Sequence, residues 1–210
     1  MPANGTLVSD ACASALRAFS SAPQRERWPQ EHPPVFPDTV ETLRLHLRRP
    51  VTTDAERIFQ TYAQDREVTR YLEWVPHTSV ETTERFIAFC QDRWTRSVAF
   101  PYVITRKEDG ELLGMIEVRL NGHRANFGYV LARSYWENGF MPEAIAAIVK
   151  ITLEPPTIYR MEATCDVENK ASARALEKSG CLREGLLRRY IVHPNISLEP
   201  RDSLLYALTK

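Results

Sequence analysis

The spacing of apolar residues changes period several times along the chain, and each change marks an element. Thr42 to Leu47 sets Leu43, Leu45 and Leu47 against Arg44, His46 and Arg48, a period of two that predicts a half-buried strand. Ile58, Phe59 and Tyr62 follow at helical spacing, behind Thr53 or Asp54 as a cap. Val80 to Trp94 predicts a second helix burying Phe86, Phe89, Cys90 and Trp94. Phe100–Arg106, Leu112–Leu120 and Ala125–Ala132 then read as strands joined by short turns at Asp109-Gly110 and Asn121-Gly122, which implies an antiparallel meander. A helix over Pro142–Leu153, a strand over Ile158–Cys165 and a short helix over Asn169–Lys178, stopped by Gly180, come next. Gly185–His193 and Ser203–Leu208 are the last two strands. The order β-α-α-β-β-β-α-β-α-β-β predicts an α+β fold, a mixed sheet with helices on both faces.

Residues 1–40 do not fit this rhythm. Pro23, Pro29, Pro33, Pro34 and Pro37 break up the second half of the stretch, and only Ala11–Phe19 has helical character. It reads as an N-terminal extension, loosely ordered or laid over a domain spanning 41–210, with Trp28 and Phe36 favouring some packing.

Composition narrows the function by exclusion. Lys plus Arg and Asp plus Glu balance at 27 each, so bulk attraction to nucleic acid is not expected. No run approaches 18 apolar residues and no signal-peptide core is visible, so neither a membrane partner nor export is expected. Cys12, Cys90, Cys165 and Cys181 are far apart with no C-x-x-C pair, which suits free thiols in a reducing cytoplasm. The five histidines have no metal-ligand spacing, and no metal is expected. Neither a nucleophile elbow nor a Walker-type phosphate loop is present.

The surviving signal is the turn at Trp136–Met141. A strand runs into a loop containing Gly139, and a helix begins at once. The unpaired N–H groups of a helix N-terminus and the positive end of its dipole form a seat for an anion such as a phosphate.

Four segments carry a resemblance. They are T-L-R-L-H-L-R at 42–48, E-D-G-E-L-L-G at 108–114, F-G-Y-V-L through W-E-N-G-F-M-P-E-A at 127–144, and the long block Y-R-M-E-A-T-C-D-V-E-N-K-A-S-A-R-A-L-E-K-S-G-C-L-R-E-G-L-L-R at 159–188. Together they resemble the Gcn5-related N-acetyltransferases, GNAT, and within them the branch that acetylates the N-terminal amines of ribosomal proteins. The resemblance covers about residues 41–210, and Asp202 before the last strand also fits. It implies a strongly twisted sheet of about seven strands with about four helices, splayed between strands four and five.

The resemblance also implies roles. Acetyl-CoA is the expected donor, its pyrophosphate on the backbone of Trp136, Glu137, Asn138, Gly139, Phe140 and Met141. Its pantetheine arm would add to the fourth strand around Tyr129, Val130 and Leu131. Asn169 matches the residue that bonds this arm, Ser172 the serine beside the cofactor sulfur, and Arg174 could reach phosphate. An N-cap, a small packing residue and a solvated charge are the alternative readings of these three. An amine acceptor enters from the other side, with Tyr71 and Trp74 as candidate walls. Glu117 is a candidate general base, or else a partner of an arginine across the sheet. Another donor such as succinyl-CoA would want a basic lining, for which Arg44, Arg70 and Arg124 are candidates if the fold brings them together. Homodimer contacts are also conceivable.

The chain departs from the family pattern in places. Asn126 stands where many relatives carry an acid, and Glu137 where many carry glycine. Pro142 replaces a frequent threonine, Leu176 a frequent tyrosine, and Cys181 the usual phenylalanine. These changes keep a non-catalytic or regulatory domain of the same fold as a second expectation.

Overall fold

A computed structural model describes residues 35–210. The elements are β1 (Thr39–Glu41), β2 (Leu45–Arg48), α1 (Asp54–Ile58, widening into a π turn at Phe59–Ala63), α2 (Arg66–Thr69), α3 (Val80–Thr95), β3 (Ala99–Arg106), β4 (Leu112–Asn121), β5 (Arg124–Leu131), α4 (Phe140–Leu153), β6 (Arg160–Asp166), α5 (Lys170–Lys178), β7 (Leu182–Ile191) and β8 (Arg201–Thr209). The strands make one mixed sheet in the order β1-β2-β3-β4-β5-β6-β8-β7. The expected GNAT-type architecture is therefore present, with eight described strands rather than about seven.

The extra strand comes from the N-terminal side. The alternation read at 42–47 straddles a turn: Leu45 and Leu47 are fully buried, but Leu43 is 90% exposed. Thr42 closes that turn by donating its N–H to Leu45 O, and β1 folds back on β2. Packing reaches further back still, because Phe36 is buried with its ring stacked 4.1 Å from that of Phe100. Residues 36–41 therefore pack with the rest of the domain. The expectations for Ala11–Phe19, Cys12 and Trp28 lie outside the described residues.

Two cores sandwich the sheet. On the front face, α4 and α5 pack Ile145, Ile148 and Leu176 onto Ile116, Phe127 and Met161. On the back face, α1 and α3 pack Ile58, Ile87 and Cys90 onto Val103 and Met115. The buried stripe of α3 is Thr83, Ile87, Cys90 and Trp94, not the stripe through Phe89. Phe89 lies on the flank, where the Arg93 guanidinium sits 5.2 Å from its ring centre. Asp54 does start α1, but its buried carboxylate is held by Arg48 (2.6 and 2.8 Å) and by the N–H of Val51 (2.9 Å).

One break in this sheet positions everything that follows. β4 and β5 stay paired from Asn121↔Arg124 through Gly114↔Leu131. β5 and β6 are parallel partners only at Arg124↔Arg160, Ala125↔Met161 and Asn126↔Glu162. Beyond that β6 stays with β8 up to Asp166↔Ser203, so the two strands part. The result is a V-shaped slot with one open strand edge over Phe127–Leu131.

Candidate functional site

The open edge has a definite polarity. Ala132 donates its N–H to Leu113 O (2.8 Å), and a Cβ on Gly114 would strike Val130 O. Both Ala132 and Val130 therefore turn their backbone groups toward β4. Because these groups alternate along a strand, those of Phe127, Tyr129 and Leu131 face the slot. This revises one expectation. Tyr129 and Leu131 offer backbone to an added arm, whereas Val130 packs its side chain against the back core. Trp136 takes up part of what is exposed, its indole N–H donating to Leu131 O at 2.7 Å.

The loop after β5 delivers the anion seat. Gly139 caps α4 at φ +77°, a left-handed conformation that glycine adopts without Cβ strain. The first intrahelical bond runs from Glu143 to Gly139 O (3.2 Å), leaving the N–H groups of Gly139, Phe140 and Met141 ahead of it. α4 begins two residues earlier than read from Pro142. The proline sits third in the helix, where its missing N–H costs no helical bond but removes one donor from the seat. Asn138 braces the loop internally, its amide donating to Trp136 O at 2.9 Å.

The structure adds a buttress that sequence reasoning missed. Glu143, in the first turn of α4, accepts from Thr42 Oγ1 (2.6 Å), Arg44 N (2.9 Å) and Arg44 Nε (2.7 Å). Arg44 also donates to Asn138 O (3.0 Å) and lies 4.5 Å from the Phe140 ring centre. Burial alone would raise the Glu143 carboxyl, but these hydrogen bonds hold it below the ordinary value. The only hint in the sequence is an acid one turn into a helix, which is too common to single out.

Across the slot stands α5. Asn169 is its N-cap, with Oδ1 accepting from Ser172 N at 3.1 Å. The capping role uses Oδ1, so the amide N–H groups are available to a ligand. Ser172 Oγ pairs with Tyr129 Oη at 2.7 Å, tying the two walls of the slot together. Burial raises the Tyr129 phenol far above its ordinary pKa, only partly offset by the Ser172 bond. It remains a proton donor at any physiological pH. The expectation placed Tyr129 on the edge that receives the arm and gave its phenol no role, while Leu176, where relatives often have tyrosine, is fully buried. Cys165 is buried beside Ser172, and burial pushes its thiol up to about 11. Arg174 is exposed on α5.

Other candidates settle differently. Glu117 is gripped by Arg93 Nη1 (3.1 Å to each oxygen), with Arg119 Nε at 3.4 Å. Its partners are arginines, but they come from α3 and from its own strand rather than from across a strand pair. Asn126 accepts from Arg119 Nε at 2.7 Å. A Cβ on Gly128 would lie 3.1 Å from Arg119 Nη2, so a side chain there would push the guanidinium aside by a few tenths of an ångström. Arg44 and Arg124 sit at opposite ends of β5, and Arg70 stacks on its neighbour Tyr71 at 5.5 Å, so the three do not form one lining. Glu137 is exposed at φ +65°. Trp74 packs half-buried against the back core with Val130, and Tyr71 meets His193 edge-on.

A slot with one free strand edge, and a helix N-terminus at its head, fits an extended donor ending in phosphates. Residues 44–182 match the family model described as an acetyltransferase (GNAT) domain. The chain belongs to the GNAT family. An uncharacterised N-acetyltransferase of Bacillus subtilis, YoaA, is 32% identical over 84% of this chain and 98% of its own length. The [ribosomal protein uS5]-alanine N-acetyltransferase of Escherichia coli is 25% identical over 81% of the chain and 90% of its own. Mycobacterium smegmatis RimJ, solved in complex with CoA-disulfide, superposes with a TM-score of 0.73 at 25% identity, over 83% of this chain and 88% of that one. This GNAT chain is thus similar to the ribosomal-protein N-acetyltransferases, and its activity is acetyl transfer to an amine.

Proposed function

We propose that this GNAT protein transfers an acetyl group from acetyl-CoA to a primary amine within a ternary complex, with a protein N-terminus as the first acceptor to test. The observation that carries this reading is the open β5 edge leading straight to the Gly139–Met141 donors. The Phe127, Tyr129 and Leu131 backbone would hold an extended arm by strand addition. The head of α4 would hold its pyrophosphate. A slot-facing N–H on β5 would steady the carbonyl oxygen as charge develops there. The Tyr129–Ser172 pair would pass a proton to the departing sulfur. Attack by a bound amine needs positioning rather than a protein nucleophile, so high-pKa Cys165 has no covalent step to perform. The separation of Arg44, Arg70 and Arg124 gives no seat for a second carboxylate, which favours acetyl over succinyl. The N-terminal acceptor is suggested by the E. coli relative and by the aromatic Tyr71–Trp74 segment on the back side.

Calorimetric titration with acetyl-CoA and succinyl-CoA tests the reading. Asn169→Asp is the informative variant, because it keeps the N-cap oxygen and replaces the amide donor with a charge. Acetyl-CoA should bind the natural protein and bind the variant at least about tenfold more weakly, with Tm nearly unchanged. Folded protein that binds neither donor would rule the reading out.

A further inference from the structure

Buried polar atoms without partners are rare, because each gives up hydration for nothing in return. Among the described residues five side-chain atoms are in this state, and three belong to one neighbourhood: Nδ1 and Nε2 of His193, and Oγ of Ser203. His193 is only 4% exposed, and its Nε2 lies 3.7 Å from Asp166 Oδ2. That is beyond a hydrogen bond but close enough to feel the charge. Ser203 is the β8 partner of Asp166, so their side chains share a face. It is the back face, since Met161, Ala163 and Cys165 of β6 occupy the front core.

This neighbourhood closes the back mouth of the slot. The Tyr71–Trp74 strap packs Trp74 into the core that holds Val130 of β5. The same strap sets the Tyr71 ring 6.3 Å from that of His193. Asn195 pins it there, donating to Thr69 O (2.7 Å) and Trp74 O (2.8 Å). The strap therefore runs from the β5 wall to the end of β6, with His193 against it on the face opposite α5.

Acetyl transfer still lacks one group. An amine at neutral pH is an ammonium, and it must lose a proton before its lone pair can attack. Glu117 already holds two arginines. We propose that His193, set beside the Asp166–Arg201 ion pair, is the base that deprotonates the incoming amine. This rests on the acetyltransferase reading. The neutral imidazole takes a proton from R–NH3+. The freed nitrogen pair forms the C–N bond at the thioester carbonyl carbon, and the C–S bond breaks with its electrons going to sulfur. The nitrogen sheds its second proton to solvent. The thiolate collects a proton through the Tyr129–Ser172 pair, which is resupplied from solvent, and His193 releases its own to solvent. The charged groups facing the ring are Asp166 on β6, Glu73 on the strap and Arg201 on β8, with the Leu72 backbone beside it. Burial dominates and lowers the ring's pKa, helped by Arg201 and opposed by Asp166, Glu73 and the Leu72 backbone, which favours the neutral ring that a base must be.

The test compares natural protein, His193→Gln and His193→Ala. Three readouts are taken: acetyl-CoA affinity by calorimetry, CoA release with an alanine-initiated peptide as acceptor, and the His193 ring titration by NMR, assigned by its loss in the glutamine variant. Both variants should bind acetyl-CoA normally and lose about 100-fold or more in kcat at pH 7. They should regain rate as pH rises toward the amine's own pKa, and added imidazole should restore part of the His193→Ala rate only. A merely structural histidine would move none of these pH-linked readouts. Unchanged kcat and pH profile in the variants, or a His193 ring charged at pH 7, overturns the proposal while leaving the acetyltransferase reading intact. Natural protein that binds acetyl-CoA but spares this peptide is assayed with serine-initiated peptides and small primary amines, and failure to acetylate any of them overturns the proposal. Failure of the natural protein to bind acetyl-CoA overturns the broader reading, and this proposal with it.

Discussion

Glu137 concentrates two disadvantages in one side chain. It holds φ +65°, which a Cβ disfavours by about 1 kcal/mol, and it brings a carboxylate to the loop that should face phosphates. Glu137→Gly should raise stability by up to about 1 kcal/mol and tighten acetyl-CoA binding several-fold, read by thermal melts and calorimetry side by side. The odd residue was legible in the sequence; the strained backbone beneath it was not, because torsion depends on the loop's anchors. His77 carries a pH prediction of its own. Its ring is half-buried, hydrogen-bonded to Thr83 Oγ1 at 2.8 Å, and this burial lowers its pKa to about 4. The unfolded chain therefore takes up a proton near pH 6.5 while the folded one resists until about 4. Stability should be fully present above about 6.5 and fall between there and 4, by on the order of 2 kcal/mol after allowance for partial solvation. Denaturant titrations across that window should show the slope, and His77→Gln should flatten it.

At the scale of elements, α4 is a binding element because something holds its first turn still. The Thr42–Arg44–Glu143 cluster ties the β1–β2 turn to the helix head and, through Arg44, to the Asn138 carbonyl. Glu143→Ala removes three accepted hydrogen bonds at once. It should weaken acetyl-CoA binding about tenfold and cost about 1–2 kcal/mol of stability, while Thr42→Ala should show a smaller loss of the same kind. If Glu143→Ala leaves affinity unchanged in calorimetry, the loop holds its shape without the buttress. The helix itself was legible from the period of Ala144, Ile145 and Ile148. Its partner was not, since positions 42–44 and 143 are about a hundred residues apart and polar contacts leave no periodic trace.

For the whole molecule, the decisive feature is that β5 and β6 share only three paired positions before they part. A sheet with an unpaired inner edge forfeits backbone hydrogen bonds, and a ligand that supplies them should stabilise the fold through linkage. Acetyl-CoA at about 100 times its Kd should add about 2.7 kcal/mol, visible as a Tm rise of several degrees. Phosphate-only fragments should give much less, because they cannot span from the α4 head to the Tyr129 edge. A melt unmoved by saturating acetyl-CoA would mean that the slot is not a donor site.

The chain's own pattern determined the order of elements, the meander, the glycine-capped head of α4 and the Asn169 cap of α5. These are local properties: periodicity, turn chemistry and capping act within a few residues, and the family resemblance rests on the same stretches. Tertiary structure decided what faces what. It moved Leu43 out of the strand to which its spacing assigned it, turned Val130 toward β4 and Tyr129 toward Ser172, gave Glu117 to two arginines, and brought His193 to Asp166. Those outcomes depend on strand register or on side chains meeting across 24 to 43 residues, and no spacing along a chain encodes that directly.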